Sequence, residues 1–187
     1  AIFENTPVTS LKRDVDMMRL QTPSANIRAK QVILATNSAK PLLKRLSMSF
    51  IPIYDYSLMT EPLSEYQWSS NGWVGSYGVA DSGNQFHYSR KTADNRMLWA
   101  GFDAIYHYGS DRTDELLQRP ESFALLADQF VTAFPTLADV KFDFKWGGII
   151  DTSARTTFFS GLAHRGQVAY AIGFTGQGVT VSRFAAL

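Results

Sequence analysis

The sequence predicts an α+β fold: a mainly antiparallel middle domain with helices, flanked by α/β-like strands and a C-terminal helix. Three observations predict it. Residues 120–134 have the apolar spacing of an amphipathic helix. Residues 140–146 alternate between apolar and charged, as expected of an antiparallel strand with one buried face. Apolar runs at 31–36 and 167–172 are typical of strands buried on both faces of an α/β sheet.

The order of these patterns predicts a middle domain inserted into a split outer domain. We expect the outer domain to contain residues 1–46 and 147–187 and the middle domain residues 47–146. The first residues show neither an initiator methionine nor a signal peptide, and the last ones follow a helical pattern without a cap. We therefore expect both ends to lie inside a longer protein.

The outer domain opens with short elements. Residues 1–11 are β-like, residues 16–22 indicate a second strand, and residues 23–26 supply turn chemistry. After the buried strand that ends at Thr36, residues 39–47 predict a short amphipathic helix with leucines on one side.

The middle domain begins with a β-rich stretch at 50–63 and continues with a loop or irregular strands at 68–84. Residues 86–90 and 96–102 predict a hairpin, because the turn residues Ala93–Asn95 separate them. The helix that follows should begin at Pro120 and end before Pro135. Its predicted buried face contains Phe123, Leu126, Ala127, Phe130, Val131 and Phe134.

Composition excludes several kinds of site. The formal net charge of +1 gives no electrostatic sign of nucleic-acid or anionic-membrane binding. No cysteine is present, so disulfides and thiolate chemistry are excluded. The three histidines lack metal-ligand spacing, and we expect no metal. No apolar run approaches the ~20 residues of a membrane span, and we expect a cytoplasmic protein.

The strongest local signal is the strand, glycine-rich turn and helix at residues 171–180 (AIGFTGQGVT). Glycines let a ligand approach the backbone, and the unpaired N–H groups of a helix start favour negative charge. The alternative is a tight strand–helix connection that binds nothing. The spacing matches neither a Walker loop nor the dinucleotide fingerprint.

Short motifs occur along the chain at residues 4–8 (ENTPV), 32–37 (VILATN), 60–62 (TEP), 96–101 (RMLWAG), 146–151 (WGGIID) and 173–179 (GFTGQGV). These segments, in this order, resemble the superfamily of FAD-dependent D-amino-acid, glycine and sarcosine oxidases, and most closely its gamma-glutamylputrescine oxidase-like bacterial members. Together they span most of the chain, from residue 4 to residue 179.

The resemblance implies FAD as cofactor. Its flavin would lie along the glycine-rich turn, and the adenosine half would lie beside Val8 and the end of the strand at Ala35 and Thr36. The implied flavin-binding residues are Gly173, Gly176, Gln177, Gly178, Val179 and Thr180. Thr180 stands where relatives carry a lysine, which weakens the expected stabilisation of negative charge. The N-terminal dinucleotide-binding segment would be a missing partner, and we expect this chain alone to bind FAD weakly or not at all.

Substrate contacts are expected from the middle domain. Tyr88 and Arg90 share one face of a predicted strand, which in the family lies over the flavin, and are candidates to bind a carboxylate or orient an amine. The alternative is a surface arginine and a half-buried tyrosine without a role in binding. Tyr54 and Tyr56 are further candidates, with core packing as the alternative. Arg155 is a candidate at the active-site mouth, or an ordinary surface arginine. No residue is assigned an acid–base role.

We therefore expect an FAD-dependent oxidoreductase that oxidises a C–N bond of a small amine or amino acid by hydride transfer to flavin. The alternative is a non-catalytic module of the same fold that binds a ligand or a partner.

Overall fold

The computed structural model describes residues 1–186, which form two compact units. One unit contains Ala1–Pro52 and the chain from Ile150 onward, and we call it the outer unit. The other, the middle unit, contains Ile53–Ile149. The boundaries expected from the sequence, after residues 46 and 146, lie a few residues before the observed ones.

The structure has the expected α+β character. Its strands are β1 (Ser10–Asp14), β2 (Met17–Gln21), β3 (Asn26–Ala29), β4 (Val32–Leu34), β5 (Ile51–Thr60), β6 (Gly78–Ala80), β7 (His87–Lys91), β8 (Met97–Gly101), β9 (Phe142–Thr152), β10 (Phe159–Ala163) and β11 (Val168–Ile172). Its α-helices are α1 (Glu65–Ser70), α2 (Pro120–Ala133) and α3 (Gly178–Ala185). Short 3-10 turns occur at Lys44–Leu46, Tyr108–Ser110, Asp114–Leu117, Pro135–Leu137 and His164–Gly166.

The outer unit contains two three-stranded sheets. The first has the order β1-β2-β3 and is antiparallel throughout; the turn between β2 and β3 is closed by hydrogen bonds between Thr22 and Ala25. The second has the order β10-β11-β4, with β11 antiparallel to β10 and parallel to β4. Both sheets contribute to one core, whose buried members are Met18, Leu34, Leu43, Leu46, Phe50, Ala163, Val168 and Ile172.

The prediction that the strand at 31–36 is buried on both faces is wrong. Leu34 is buried, but the side chain of Ile33 is 78% exposed. Ile33 lies in one cross-strand row with Ala169 and the exposed Leu162, so the second sheet packs on the core through only one face. A continuous apolar run does not reveal whether a second layer covers the sheet in the same chain.

The prediction of a helix at residues 39–47 is also wrong, since only the 3-10 turn Lys44–Leu46 forms there. Pro41 has no N–H group, and it disfavours the α conformation of the residue before it. The remaining segment is too short to offset the cost of helix nucleation. Its buried leucines still face the core. Near the N-terminus, the β-like stretch becomes a strand only from Ser10.

The middle unit is built on a five-stranded sheet with the order β6-β7-β8-β5-β9. The predicted hairpin is confirmed as β7 and β8, and Asn95 adopts a left-handed conformation (φ 63°) in its turn. Helix α2 packs against β8, where the Trp99 indole N–H donates to the Leu126 carbonyl at 3.0 Å. The core of this unit includes Tyr54, Tyr56, Trp68, Trp99, Phe123, Leu126 and Phe130.

Helix α2 begins at Pro120 and ends before Pro135, as predicted. Phe123, Leu126 and Phe130 are buried, but Val131 is exposed, because the apolar stripe is wider than the face that packs on the sheet.

The strand predicted at 140–146 is confirmed as β9, but its predicted buried face is wrong. Phe142 packs edge-on against Phe130 in the core, whereas Phe144 and Trp146 are 53% and 39% exposed. Lys145 lies over the Phe123 ring, 5.3 Å from its centroid. The strand also continues through Gly147–Gly148, beyond the predicted range, and ends at Thr152.

Candidate cofactor and substrate sites

The glycine-rich turn of the outer unit connects β11 to α3. Gly173 and Gly176 both have positive φ, +76° and +82°, which L-residues with side chains rarely adopt. At Gly173, a Cβ would lie 2.9 Å from the Ser153 Cβ and 3.2 Å from the Phe159 ring, so only glycine fits there. The turn is buried at Gly173 and emerges to solvent at Gly176 and Gln177.

The turn exposes main-chain donors. Thr175 N–H donates to the Asp151 carbonyl at 3.1 Å and Gln177 N–H to the Phe174 carbonyl at 3.0 Å. Within residues 1–186, no acceptor binds the main-chain N–H groups of one residue in the turn and of the first three residues of α3. They belong to Gly176, Gly178, Val179 and Thr180, and the side chain of Val179 is almost fully exposed. The arrangement suits an anionic or electron-rich group.

Asp151, at the end of β9, holds this turn and was missed by the sequence reasoning. Its side chain is 2% exposed, and its carboxylate accepts hydrogen bonds from Gly173 N–H at 2.6 Å and Phe174 N–H at 3.1 Å. Burial raises the pKa of Asp151, and the hydrogen bonds from the two amides partly oppose that shift. The signal was present in the sequence, since an acidic residue directly after the apolar pair Ile149–Ile150 needs buried donors.

The turn and the strand that ends near Thr36 lie at the same edge of one sheet. Because β4 and β11 are parallel and paired from Val32 with Val168 to Leu34 with Tyr170, their carboxyl ends point the same way. Thr36 is half-buried at that edge. Ligands of α/β sheets bind at the carboxyl ends of parallel strands.

The other predicted cofactor residues are placed as follows. Ala35 follows β4 and is exposed. Val8 is half-buried in the segment that precedes β1, and β1 belongs to the other sheet of the outer unit. Gln177 is the residue before α3, and Thr180 lies in its first turn.

In the middle unit, Tyr88 and Arg90 share one face of β7, as predicted. Tyr88 lies in the cross-strand row of Ala100 and Ser57, and its phenol donates to the Asp55 carboxylate at 2.9 Å. Burial, and then the charge of Asp55, raises the pKa of Tyr88. Arg90 is exposed. We call this side of the sheet the Tyr88 face.

Tyr54 and Tyr56 lie on the opposite face and are fully buried in the core. The Tyr54 phenol donates to the Asp111 carbonyl at 3.2 Å, and the Tyr56 phenol to the Leu116 carbonyl at 2.7 Å. Both hydroxyls thus donate hydrogen bonds within the protein. Core packing, the alternative to substrate binding, therefore describes both tyrosines. Arg155 is exposed in the loop after β9, in the outer unit rather than the middle unit.

His87 also lies on the face opposite Tyr88. Its Nδ1 is 2.9 Å from the Asp81 carboxylate and its Nε2 is 3.0 Å from the Gln129 side-chain oxygen, and the ring stacks on Trp99. Both ring nitrogens are therefore occupied. Among residues 1–186, no three His, Asp or Glu side chains are arranged to hold a metal ion.

No helix in the described part of the chain has the length and apolar character needed to cross a membrane.

Comparison with known proteins matches the whole chain, residues 1–187, to the family model described as FAD dependent oxidoreductase. The chain is 28% identical to the probable oxidoreductase OrdL of Haemophilus influenzae and 29% identical to the gamma-glutamylputrescine oxidoreductase of Escherichia coli. Each alignment covers 98% of this chain, and 40% and 41% of the relative. The chain thus spans about two-fifths of the length of these curated relatives.

Among solved structures, glycine oxidase from Geobacillus kaustophilus has a similar fold. The TM-score is 0.78 at 17% identity, over 98% of this chain and 46% of that one.

Proposed function

The chain belongs to the family of FAD-dependent oxidoreductases, and from that premise we propose that the full-length protein oxidises a C–N bond of an amine or amino acid by hydride transfer to flavin. The observation that carries the proposal is the group of unpartnered main-chain N–H groups of Gly176, Gly178, Val179 and Thr180, at the sheet edge where β4 also ends. One relative is named for gamma-glutamylputrescine and another for glycine, and both names indicate nitrogen-bearing substrates.

The turn fits the electron-rich rim of a flavin. Gly176 has no side chain to cover its N–H group, and a Cβ there would meet only the Ile150 side chain, at 4.0 Å. Gly178, Val179 and Thr180 direct the N–H groups of a helix start into the same region. When bound, the flavin supplies the hydride acceptor.

The protein contributes fixed electrostatics. The free N–H groups and the positive end of the α3 dipole stabilise negative charge beside the turn. Asp151 keeps the turn in place by binding the amides of Gly173 and Phe174, so the donors need no rearrangement. Such preorganisation is usually the largest protein contribution to this kind of catalysis.

The substrate would be bound by the Tyr88 face of the middle unit. Tyr88, Asp55 and Arg90 place a hydroxyl, a carboxylate and a guanidinium on that face. The residues provide both hydrogen-bonding partners and charge for a small polar substrate. No described residue is assigned a proton transfer.

The test uses the full-length protein. We expect it to purify with the visible absorbance of a flavin and to lose that absorbance when an amine or amino acid is added without oxygen. A protein without flavin, or a flavin that no amine or amino acid reduces, would contradict the proposal and favour a ligand- or partner-binding module.

A charge substitution in the first turn of α3 tests the role of the donors. Thr180→Lys adds a cation beside the proposed flavin rim and should speed reduction by a given amine. Ser182→Lys adds the same charge to the same helix, at an exposed position beyond the first turn, and should have a smaller effect. Equal effects would indicate a general charge effect rather than a site at this helix start.

A further inference from the structure

Asp55 is a half-buried carboxylate without a counter-ion. Its Oδ1 accepts a hydrogen bond from Tyr56 N–H at 3.0 Å and its Oδ2 accepts one from the Tyr88 phenol at 2.9 Å. None of the ion pairs formed within residues 1–186 includes it.

Asp55 lacks the ion pair that two other acids of the middle unit form. Asp143 pairs with Arg96, and Asp103 pairs with Arg119. A carboxylate removed from water is costly unless a cation or several donors compensate it. Burial accordingly raises the pKa of Asp55, and the charge of Asp103 adds to the shift, while the bonds from Tyr88 and Tyr56 oppose it.

The side chains that surround Tyr88 and Asp55 on this face are small or aromatic. The cross-strand row of Tyr88 continues through Ala80, Ala100 and Ser57, which have small side chains. The exposed Phe86 ring lies 6.4 Å from the Tyr88 ring, centroid to centroid. A carboxylate beside aromatic rings over a floor of small residues is suited to an organic cation.

We propose that Asp55, held by Tyr88, binds an ammonium group of the substrate and so selects cationic amines over neutral molecules of the same shape. This inference rests on the proposed function and names its substrate class. Asp55 has lone pairs that Tyr56 and Tyr88 do not use, and an ammonium offers three donors and the missing positive charge. Where the bound nitrogen is also the one oxidised, its extra proton passes to water before hydride transfer, because only the neutral amine can release hydride. Tyr88 acts as a positioning residue, because its phenol fixes the carboxylate.

The experiment measures ligand binding to the full-length flavoprotein. A primary alkylamine and the alcohol of the same carbon skeleton are compared, the amine by anaerobic flavin reduction and the alcohol as a competing ligand. The wild type should bind the amine more tightly than the alcohol. Asp55→Asn should weaken amine binding about 10- to 100-fold, because a charge-assisted bond is lost, and leave alcohol binding nearly unchanged.

Further readouts separate recognition from folding. Flavin content and the limiting rate of reduction should change far less than amine affinity in Asp55→Asn. Tyr88→Phe, which keeps the carboxylate, should weaken amine binding less. Asp128→Asn removes the same charge from an exposed position of α2 and should match the wild type.

Amine affinity of the wild type should fall as the pH drops through the raised pKa of Asp55, and that dependence should vanish in Asp55→Asn.

The outcomes are distinct. If the wild type binds the alcohol as tightly as the amine, or if Asp55→Asn keeps the wild-type preference with its flavin intact, the inference is overturned and the proposed function survives. If no amine reduces the flavin of the wild type, the proposed function itself fails. If Asp55→Asn loses its flavin, the result with Tyr88→Phe decides: unchanged amine affinity there overturns the inference.

Discussion

Replacing Asp151 by alanine should open the glycine-rich turn locally. The substitution removes the acceptors of Gly173 N–H and Phe174 N–H, which lie 2.6 and 3.1 Å from the carboxylate. Asp151 is 2% exposed, so water does not readily replace the lost oxygens. The two amides would then be buried without partners, which native structures rarely tolerate.

The expected loss of stability follows from the two buried N–H donors that would lack an acceptor. Each costs about 1–3 kcal/mol, which gives a gross loss of about 2–6 kcal/mol. Part of it is offset, because the variant no longer buries an ionisable carboxyl group, whose pKa burial raises. We expect a net loss of local stability of about 2–3 kcal/mol, which corresponds to about 30- to 150-fold faster amide exchange at Gly173 and Phe174.

Hydrogen exchange followed by mass spectrometry measures this directly in the full-length protein. The peptide that contains the turn should exchange faster in Asp151→Ala, whereas peptides of α2 should not change. Asp16→Ala removes an exposed acid from the same unit and should leave the turn as protected as in the wild type. Unchanged exchange of the turn in Asp151→Ala would refute the role given to this carboxylate.

The pH dependence has a defined sign. Because the folded pKa of Asp151 is raised above 3.8, the folded state binds the proton more tightly than the unfolded state. The part of the folding stability that comes from this tighter proton binding is therefore fully present below pH 3.8. It is lost as the pH rises through the pKa of Asp151 in the folded state. The stability difference between wild type and Asp151→Ala, from urea unfolding, should shrink over that range; a difference that grows with pH would contradict the shift.

Two pairs of substitutions and one titration also have expected outcomes. Gly173→Ala should cost about 2–4 kcal/mol in the free energy of unfolding, from left-handed strain plus the Ser153 contact, whereas Gly176→Ala, with similar φ and open space, should cost about 1–2 kcal/mol; equal costs would refute the packing argument. Leu126→Ala, fully buried, should cost about 2–5 kcal/mol, and Leu125→Ala, 38% exposed, much less in the same urea titration. The Asp81 carboxyl, whose pKa the His87 and Gly83 amides lower to about 2, should titrate near that value by NMR rather than near 3.8.

Local patterns predicted the elements that depend on neighbouring residues. Helix α2 carries its own start signal at Pro120 and an apolar stripe, and the hairpin carries its turn at Asn95. The order of β11, glycine turn and α3 was readable for the same reason. Helix α1 was missed, although its capping box, formed by Ser64 and Gln67, is visible in the sequence.

Features that depend on distant residues were not predictable. Asp55 accepts a hydrogen bond from Tyr88, 33 residues further along the chain, and Asp151 accepts hydrogen bonds from amides 22 and 23 residues away. Alternation in β9 predicted a buried row, but which face the core covers is decided by α2 and the neighbouring strand. The direction of Tyr54 and Tyr56 likewise depends on the register of β5 with β8, which no local pattern specifies.

The row of Ile33, Ala169 and Leu162 has a practical consequence for handling this polypeptide. Two large aliphatic side chains flank a small one, and together they form a continuous apolar strip that is exposed to solvent across three strands. Concentrated samples of residues 1–187 alone should bind hydrophobic dyes and cluster through this strip. Ile33→Lys should reduce that clustering without disturbing the interior, since Ile33 points away from it.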